Sequence, residues 1–475
     1  MRSQKGINSY AWTIQAEVRQ EDLWEDVSLR MDCLEIAILV EETNDMPEKT
    51  FSVRDFIMPP YKTCPKCGQE TFGVLNIDRN HYSRRCRNCL HMTDRFPLPK
   101  LNKKIIYLDQ YIVSNLMKLE NPEHQRNDKV TADPFWQELR NLLSELRSLQ
   151  LIVCPDSSSH VSESRISPFN AELKKMYEHL SGGITFSSFD GIRSQQIGEL
   201  ARAWSEGRDP HFEFESGDVL TEDPNQWSKR YYITFQDNPF IIPDEIKAER
   251  AFAHATIARL FHDVWSKEKR TYLQWYDAER NGYQRNLARA AALAIQERVN
   301  MMRTLRHDVE PSLAQLGTMM LSPAEVLLTN VQHIMTYMPD GKERSPEENT
   351  ALQKSFAEAN RIAEAPFVKL QSMMYAAIAM RAAAGQKEPP NEGMTTDVET
   401  VAHLLPYCDS MLMDNDCRAL LLNIPLSVRP PEVARVYSLN TRNDFLEYLR
   451  SLRTLVTPEH RQALLDVYGE EYIKG

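Results

Sequence analysis

Two C-x2-C pairs, CPKC at 64–67 and CRNC at 86–89, constrain this chain more than any other feature. Each pair is a tight turn that aims two thiolates at one point. Two such turns, with residues 68–85 between them, complete a tetrahedral sulfur site, which suits Zn²⁺. Cys64, Cys67, Cys86 and Cys89 would fill the coordination shell, so the zinc is expected to be structural. His81 and His91 are then left over as surface residues. The competing reading is four unrelated thiols.

The other cysteines, Cys33, Cys154, Cys408 and Cys417, are scattered, as buried thiols of a cytosolic protein are. The stretch MRSQKGINSYAWTIQ lacks the apolar core of a signal peptide, and no apolar run approaches the roughly 18 residues of a spanning helix. The expectation is a cytoplasmic protein without membrane contact. A net charge of −11 argues against non-specific coating of nucleic acid but leaves room for a local basic groove. Between residues 78 and 104, Arg79, Arg84, Arg85, Arg87, Arg95, Lys100, Lys103 and Lys104 face only Asp78 and Asp94. That excess either contacts phosphates or keeps a small module solvated. The segment resembles a zinc ribbon, HYSRRCRNC being similar to its second knuckle.

The chain divides into a small N-terminal domain over 1–60, with DCLEIAILVEE as a strand or short helix, and the ribbon over 61–100. From 103 the pattern turns α/β. KIIYLD is a short apolar strand, and DPFWQELRNLLSELRSL (133–149) is a helix with Asp133 as N-cap and Pro134 at its first position. QLIVCP is a second strand, so the unit is a parallel crossover. A helical insertion follows over 168–393. It has a long helical stretch at 242–311 broken at Asn281-Gly282, then helices at 322–338 and 348–384. Sheet signal returns over 394–475, with strands at SMLMD and RVYSL and a last helix at 443–456. The predicted class is α/β: a parallel sheet split by helices and preceded by a small β-rich module.

Carboxylates gather at the predicted strand ends. Asp109 closes the first strand. The second leads to Asp156, Ser159 and Glu163. The late segment supplies Asp397, Asp409, Asp414 and Asp416. Open α/β sheets bind ligands at the carboxyl ends of their strands. Acids crowded there repel one another unless a hard cation such as Mg²⁺ or Mn²⁺ sits among them, and such ions assist in-line attack of water on a phosphodiester. Each acid also has a bland reading. Asp109 and Asp397 are plausible N-caps, Glu163 a surface helix residue, and Asp409 a turn. In YLQWYDAERNGYQRNLARAAALAIQERVNMMRTLR, Arg interleaves with Trp275, Tyr276 and Tyr283. Such a face can grip single strands, but an amphipathic helix with snorkelling Arg is favoured.

The segments IIYLDQYIVSNL, IVCPDSSSHVSES and TTDVETVAHLLPYCDSMLMDNDCRALL resemble the motifs of PIN-like domains, metal-dependent nucleases that include many bacterial ribonuclease toxins. LPYCDSMLMD is the most specific piece, and EAPF before the 373–384 helix is similar to the same family. The resemblance covers 103–165 and 395–440. It implies a Rossmann-like, PIN-type sheet whose acidic pocket holds Mg²⁺ or Mn²⁺. By the same resemblance Asp109, Glu163 and Asp397 are ligands, Asp414 or Asp416 is the fourth, and Asp409 is a supporting residue. His160 and Ser159, beside Glu163, are supports or plain turn residues. The ribbon and the insertion depart from small PIN domains. The insertion is then a lid, a self-association surface or the reader of a regulatory partner. The implied function is a nuclease acting on RNA rather than DNA, in the setting of a toxin or an anti-phage effector. Two alternatives stay open: a catalytically inactive scaffold for interactions, and a structure-specific DNase.

Overall fold

The computed structural model describes residues 13–14, 52–121, 128–229, 232–233, 243–304, 320–429 and 434–470. The domain expected over 1–60, including DCLEIAILVEE, lies outside the described residues except for 13–14 and 52–60.

Strands β1 (Met58–Lys62), β2 (Phe72–Asp78), β3 (His81–Cys86) and β4 (Met92–Pro97) form an antiparallel sheet in that order. The cysteine turns fall in the β1–β2 and β3–β4 connections. Strand β5 (Lys104–Leu108) then leads through helices α1 (Gln110–Glu120), α2 (Asp128–Ala132) and α3 (Pro134–Ser148) to β6 (Ile152–Val153). Asp133 caps α3 as expected, accepting the Phe135 N–H at 3.1 Å. Helices α4 (Ser158–Ile166), α5 (Asn170–Ser181), α6 (Phe189–Glu206), α7 (Pro243–Leu260), α8 (Tyr272–Thr304), α9 (Pro323–Thr336), α10 (Pro346–Glu358), α11 (Pro366–Ala383) and α12 (Gly393–Leu404) follow. The chain ends with β7 (Ser410–Leu412), α13 (Asn415–Leu422), β8 (Arg435–Tyr437), α14 (Arg442–Leu452) and α15 (Pro458–Val467).

The second sheet is parallel throughout, in the order β8-β7-β5-β6. Its strands alternate between two cores, because successive side chains of a strand point to opposite faces. Ile106, Leu108, Ile152, Leu412 and Tyr437 pack with α1, α3, α5, α14 and α15. Ile105, Tyr107, Val153, Met411 and Met413 pack with α8, α11, α12 and α13. Burial on both faces explains why β5 is apolar at every position after Lys104. A third cluster joins α6, α9, α10 and the start of α11.

The ribbon packs on the rest of the chain: Val74, Ile77, Tyr82, Leu98 and Leu101 share the first core with Leu464 and Val467. Helix α5 and Trp227, inside the expected insertion, belong to that core as well. Helix α8 runs unbroken through Asn281-Gly282. Trp275 and Tyr276 before that point and Tyr283 and Leu287 after it all pack inward, and this outweighs the ~1 kcal/mol helix cost of glycine. The 348–384 helix is two, separated at Asn360, whose left-handed φ of 51° ends one turn before Pro366 starts the next. Packing also decides the aromatic stretch of α8. Trp275 and Tyr276 are core residues, and Arg280 lies 5.3 Å over the Tyr276 ring, so they offer no open stacking face.

Phe445 is wholly buried between α14 and β8. Phe445→Ala should lower unfolding stability by about 3–5 kcal/mol in a denaturant titration. Leu426→Ala, at a site 82% exposed, should change it by less than about 0.5 kcal/mol.

Candidate metal centres

The four thiols meet as the spacing predicts. Cys64 Sγ lies 3.6 Å from Cys89 Sγ, and Cys67 Sγ lies 3.7 Å from Cys86 Sγ. Four sulfurs held tetrahedrally at about 2.3 Å from an ion would stand about 3.8 Å apart. The two turns are built alike. Gly68 and Leu90 follow the knuckles with φ of 75° and 60°, and their N–H groups return to the carbonyls of Cys64 and Cys86 at 2.9 and 3.0 Å. Among the described residues these thiols are the one group whose ligating atoms all lie within 4.8 Å of one another, so they could hold an ion such as zinc. His81 is exposed and His91 stacks on Phe72, so neither joins them. Desolvation opposes ionisation of Cys86, but the Thr71 hydroxyl at 3.1 Å and the backbone N–H of Cys89 bring its thiol down to about 6.

The basic excess beside this site is partly consumed by the fold. Arg84 is buried and donates to the carbonyls of Pro60, Phe72 and Asp466 at 2.9, 2.9 and 2.6 Å. Lys103 is buried against the Gln226 carbonyl at 2.7 Å, and Lys104 pairs with Asp409 at 2.9 Å. These three cations are therefore not free for phosphate.

The carboxylates divide between the two edges of the parallel sheet. Asp109 leaves β5 and caps α1, taking the Gln110 N–H on Oδ1 at 2.7 Å. Its Oδ2 accepts no hydrogen bond among the described residues. Asp414 follows β7 and caps α13 through the Cys417 N–H at 2.5 Å. Glu163 comes from α4 and Asp397 from α12. Ser159 and Thr400 tie those two helices together, oxygen to oxygen at 2.8 Å in a buried contact. Asp397 is not the N-cap that the sequence suggested. The helix begins at Gly393, which puts the carboxyl one turn inside α12.

These four groups feel one another. Burial first, then Glu163 and Asp414, pushes Asp109 up to about 7. Burial first, then Asp109, Asp414 and Glu163, pushes Asp397 up to about 9. Burial also raises Glu163 and Asp414. The Tyr111 hydroxyl, which donates to the Met413 carbonyl at 3.1 Å, is raised by burial and then by Asp109, Asp414 and Asp397. Cys417, fully buried, is raised by burial and then by the same carboxylates. No three of the four acids have carboxylate oxygens all within 4.8 Å of one another.

Asp416 and Asp409 are placed differently from these four. Asp416 is exposed in the first turn of α13 and its charge raises Asp414 and Cys417, whereas Asp414 is the one whose charge raises Asp109 and Asp397. Asp409 precedes β7 and lies at the opposite edge, where Oδ2 accepts the Ile105 N–H at 2.8 Å. Its role is to lock β5 to β7. His160 stacks between Tyr107 and Tyr177, 4.8 and 4.7 Å away, and burial lowers its pKa to about 3, so it is neutral support for α4. The sequence reading missed Arg250 on α7, whose Nη2 lies 3.3 Å from Glu163 Oε1, and it carried no local signal for that contact.

Comparison of the chain with protein-family models, curated proteins and solved structures gave no match. Among the described residues, no helix is long and apolar enough to cross a membrane.

Two outcomes follow. Purified protein should release one zinc per chain to a chromogenic chelator after thiol modification. Cys86→Ser should lose that ion and lower the melting temperature, because the ribbon shares its core with α15. The second concerns pH. A carboxyl raised in the folded state binds protons that the unfolded chain has released. Its stabilisation is therefore complete below the unfolded pKa of about 4 and is lost as pH rises through the folded value. Without divalent ions, stability should fall between pH 4 and 9. Asp397→Asn should stabilise the chain by about 1 kcal/mol or more at pH 8 and leave pH 4 unchanged in thermal melts.

Proposed function

We propose that this chain is a PIN-like nuclease, dependent on Mg²⁺ or Mn²⁺, that hydrolyses phosphodiester bonds, with RNA as the favoured substrate. The observation that carries the reading is the convergence of Asp109, Glu163, Asp397 and Asp414. They come from four separate segments to one edge of a parallel sheet, and each has a carboxyl raised by burial. Such a group is unstable at neutral pH unless protons or a cation balance it.

These four side chains would hold the ion. A hydrated Mg²⁺ keeps several waters and takes few protein oxygens directly, so it would not require all four carboxylates in contact with it. The ion would supply polarisation of the phosphate and a lower pKa for attacking water. The chain's own groups do the rest. The N–H of Gln110 and that of Cys417 fix one oxygen each of Asp109 and Asp414, and the Ser159–Thr400 contact keeps Glu163 and Asp397 at their mutual spacing. No side-chain nucleophile is required. RNA is favoured over DNA by the motif resemblance alone.

An inactive PIN-like scaffold would also leave no three of these acids in close contact. Digestion separates the readings. Protein with Mn²⁺ should cleave single-stranded RNA, and EDTA should abolish cleavage. Asp109→Asn should slow it at least about 1,000-fold, the scale of losing a central electrostatic group. Single-stranded DNA and a flap substrate, run alongside, test the DNase alternative. Equal cleavage by wild type and Asp109→Asn would refute the assignment.

A further inference from the structure

We propose that Arg250 is a catalytic residue: a guanidinium, delivered by the helical insertion, that binds the phosphate undergoing cleavage. The inference rests on the nuclease reading and gives the insertion a role in it.

Helix α7 packs against α4 and α12, the two helices that carry Glu163 and Asp397. Arg250 projects from it to the carboxylate edge. Its Nη2 donates to Ser162 Oγ at 3.1 Å and to Glu163 Oε1 at 3.3 Å. Among the described residues it is the one cation ion-paired with any of the four carboxylates. Two features mark this pair as exchangeable. It uses a single nitrogen at a long distance instead of the two-pronged geometry that makes Arg–carboxylate pairs strong. Nε and Nη1 also make no hydrogen bond to any described residue, so the guanidinium keeps free donors. Ser162 anchors the group without consuming them.

The chemistry of the edge requires such a group. A phosphodiester is an anion, and four carboxylates repel it. Divalent ions would offset part of that charge, with Glu163 among the residues that would hold them. Arg250 would then be free of its weak partner and present a planar fork that matches two phosphate oxygens. Arg381, on the last turn of α11, lowers the pKa of Asp414 by its charge and has no ion pair among the described residues. Arg250 makes and breaks no covalent bond. In the hydrolysis, a water oxygen bonds to phosphorus as the bond from phosphorus to the leaving sugar oxygen breaks. The water gives up a proton, and the leaving oxygen takes one. Arg250 stabilises the charge that builds on the non-bridging oxygens during that exchange.

The test uses the full chain with Mn²⁺ and end-labelled single-stranded RNA, with wild type, Arg250→Ala, Arg250→Gln and Arg250→Lys in parallel. Thermal melts identify folded variants, and the Lys variant, which retains the charge, serves if the others unfold. The expected result is a kcat about 100-fold lower in the Ala and Gln variants, an intermediate value for Lys, and Mn²⁺ binding by calorimetry no weaker than in wild type. Rates within about threefold of wild type would overturn the proposal. So would a faster enzyme, which would make Arg250 a restraint, or a matching loss of Mn²⁺ affinity, which would make it only a support for Glu163. If wild type cleaves, Asp109→Asn does not, and Arg250→Ala cleaves normally, this inference alone fails. If wild type cleaves nothing, the nuclease reading fails and takes this one with it.

Discussion

The parallel pairing of β5 with β7 is the contact on which the rest of the molecule depends. It joins Ile106 to Ser410, Tyr107 to Met411 and Leu108 to Leu412, and so closes a very long excursion of the chain. Loop closure costs entropy that grows only slowly with length, so a large insertion is tolerable once the pairing itself is secure. Asp409 secures it. Its side chain takes the Ile105 N–H and the Lys104 ammonium, groups 304 and 305 residues away in the sequence, while its own N–H goes to the Ile105 carbonyl. At the other end of the same strand pair, the Asp109 N–H reaches the Leu412 carbonyl. One acid thus locks the amino edge, and another is presented at the carboxyl edge.

That division explains how the acidic group is assembled. Asp109 and Asp414 enter it as helix caps, so backbone N–H groups hold each of them in place whatever their protonation state. Glu163 and Asp397 enter on helices that are themselves bound by a buried hydroxyl pair. The scaffold over-determines the position of four groups that would otherwise move apart. Burial then raises their pKa values, and only protons or cations relieve the conflict. The insertion supplies two cations, Arg250 on α7 beside Glu163 and Arg381 on α11, which acts on Asp414. The insertion is therefore part of the architecture of the edge as well as a long detour between its halves.

The zinc-type cluster serves a different purpose. It rigidifies the two turns of a sheet whose outer residues complete the first core beside α15. Arg84, which composition would place at a phosphate, instead spends its donors on three carbonyls, one of them in α15. Charge counted along a sequence does not distinguish a solvated cation from one that ties two elements together.

Local chemistry made much of this legible in advance. The cysteine turns, the Asp133 cap and the strands at 104–108, 152–153, 410–412 and 435–437 can be read from short patterns, because each depends on spacing within a few residues; the candidate acids come from the strand ends and the motif resemblance, which leave Asp414 and Asp416 as alternatives. The roles of Asp409, Asp416, Arg84, Trp275 and Arg250 cannot be read from short patterns. They depend on which strand edge, core or helix face a residue meets, and those neighbours are hundreds of positions away. The sequence by itself determined the elements and the inventory of charged groups. Only the tertiary structure decided which of those groups share a low-dielectric space, because long-range pairing sets the distance and the burial, and these two quantities set the electrostatics.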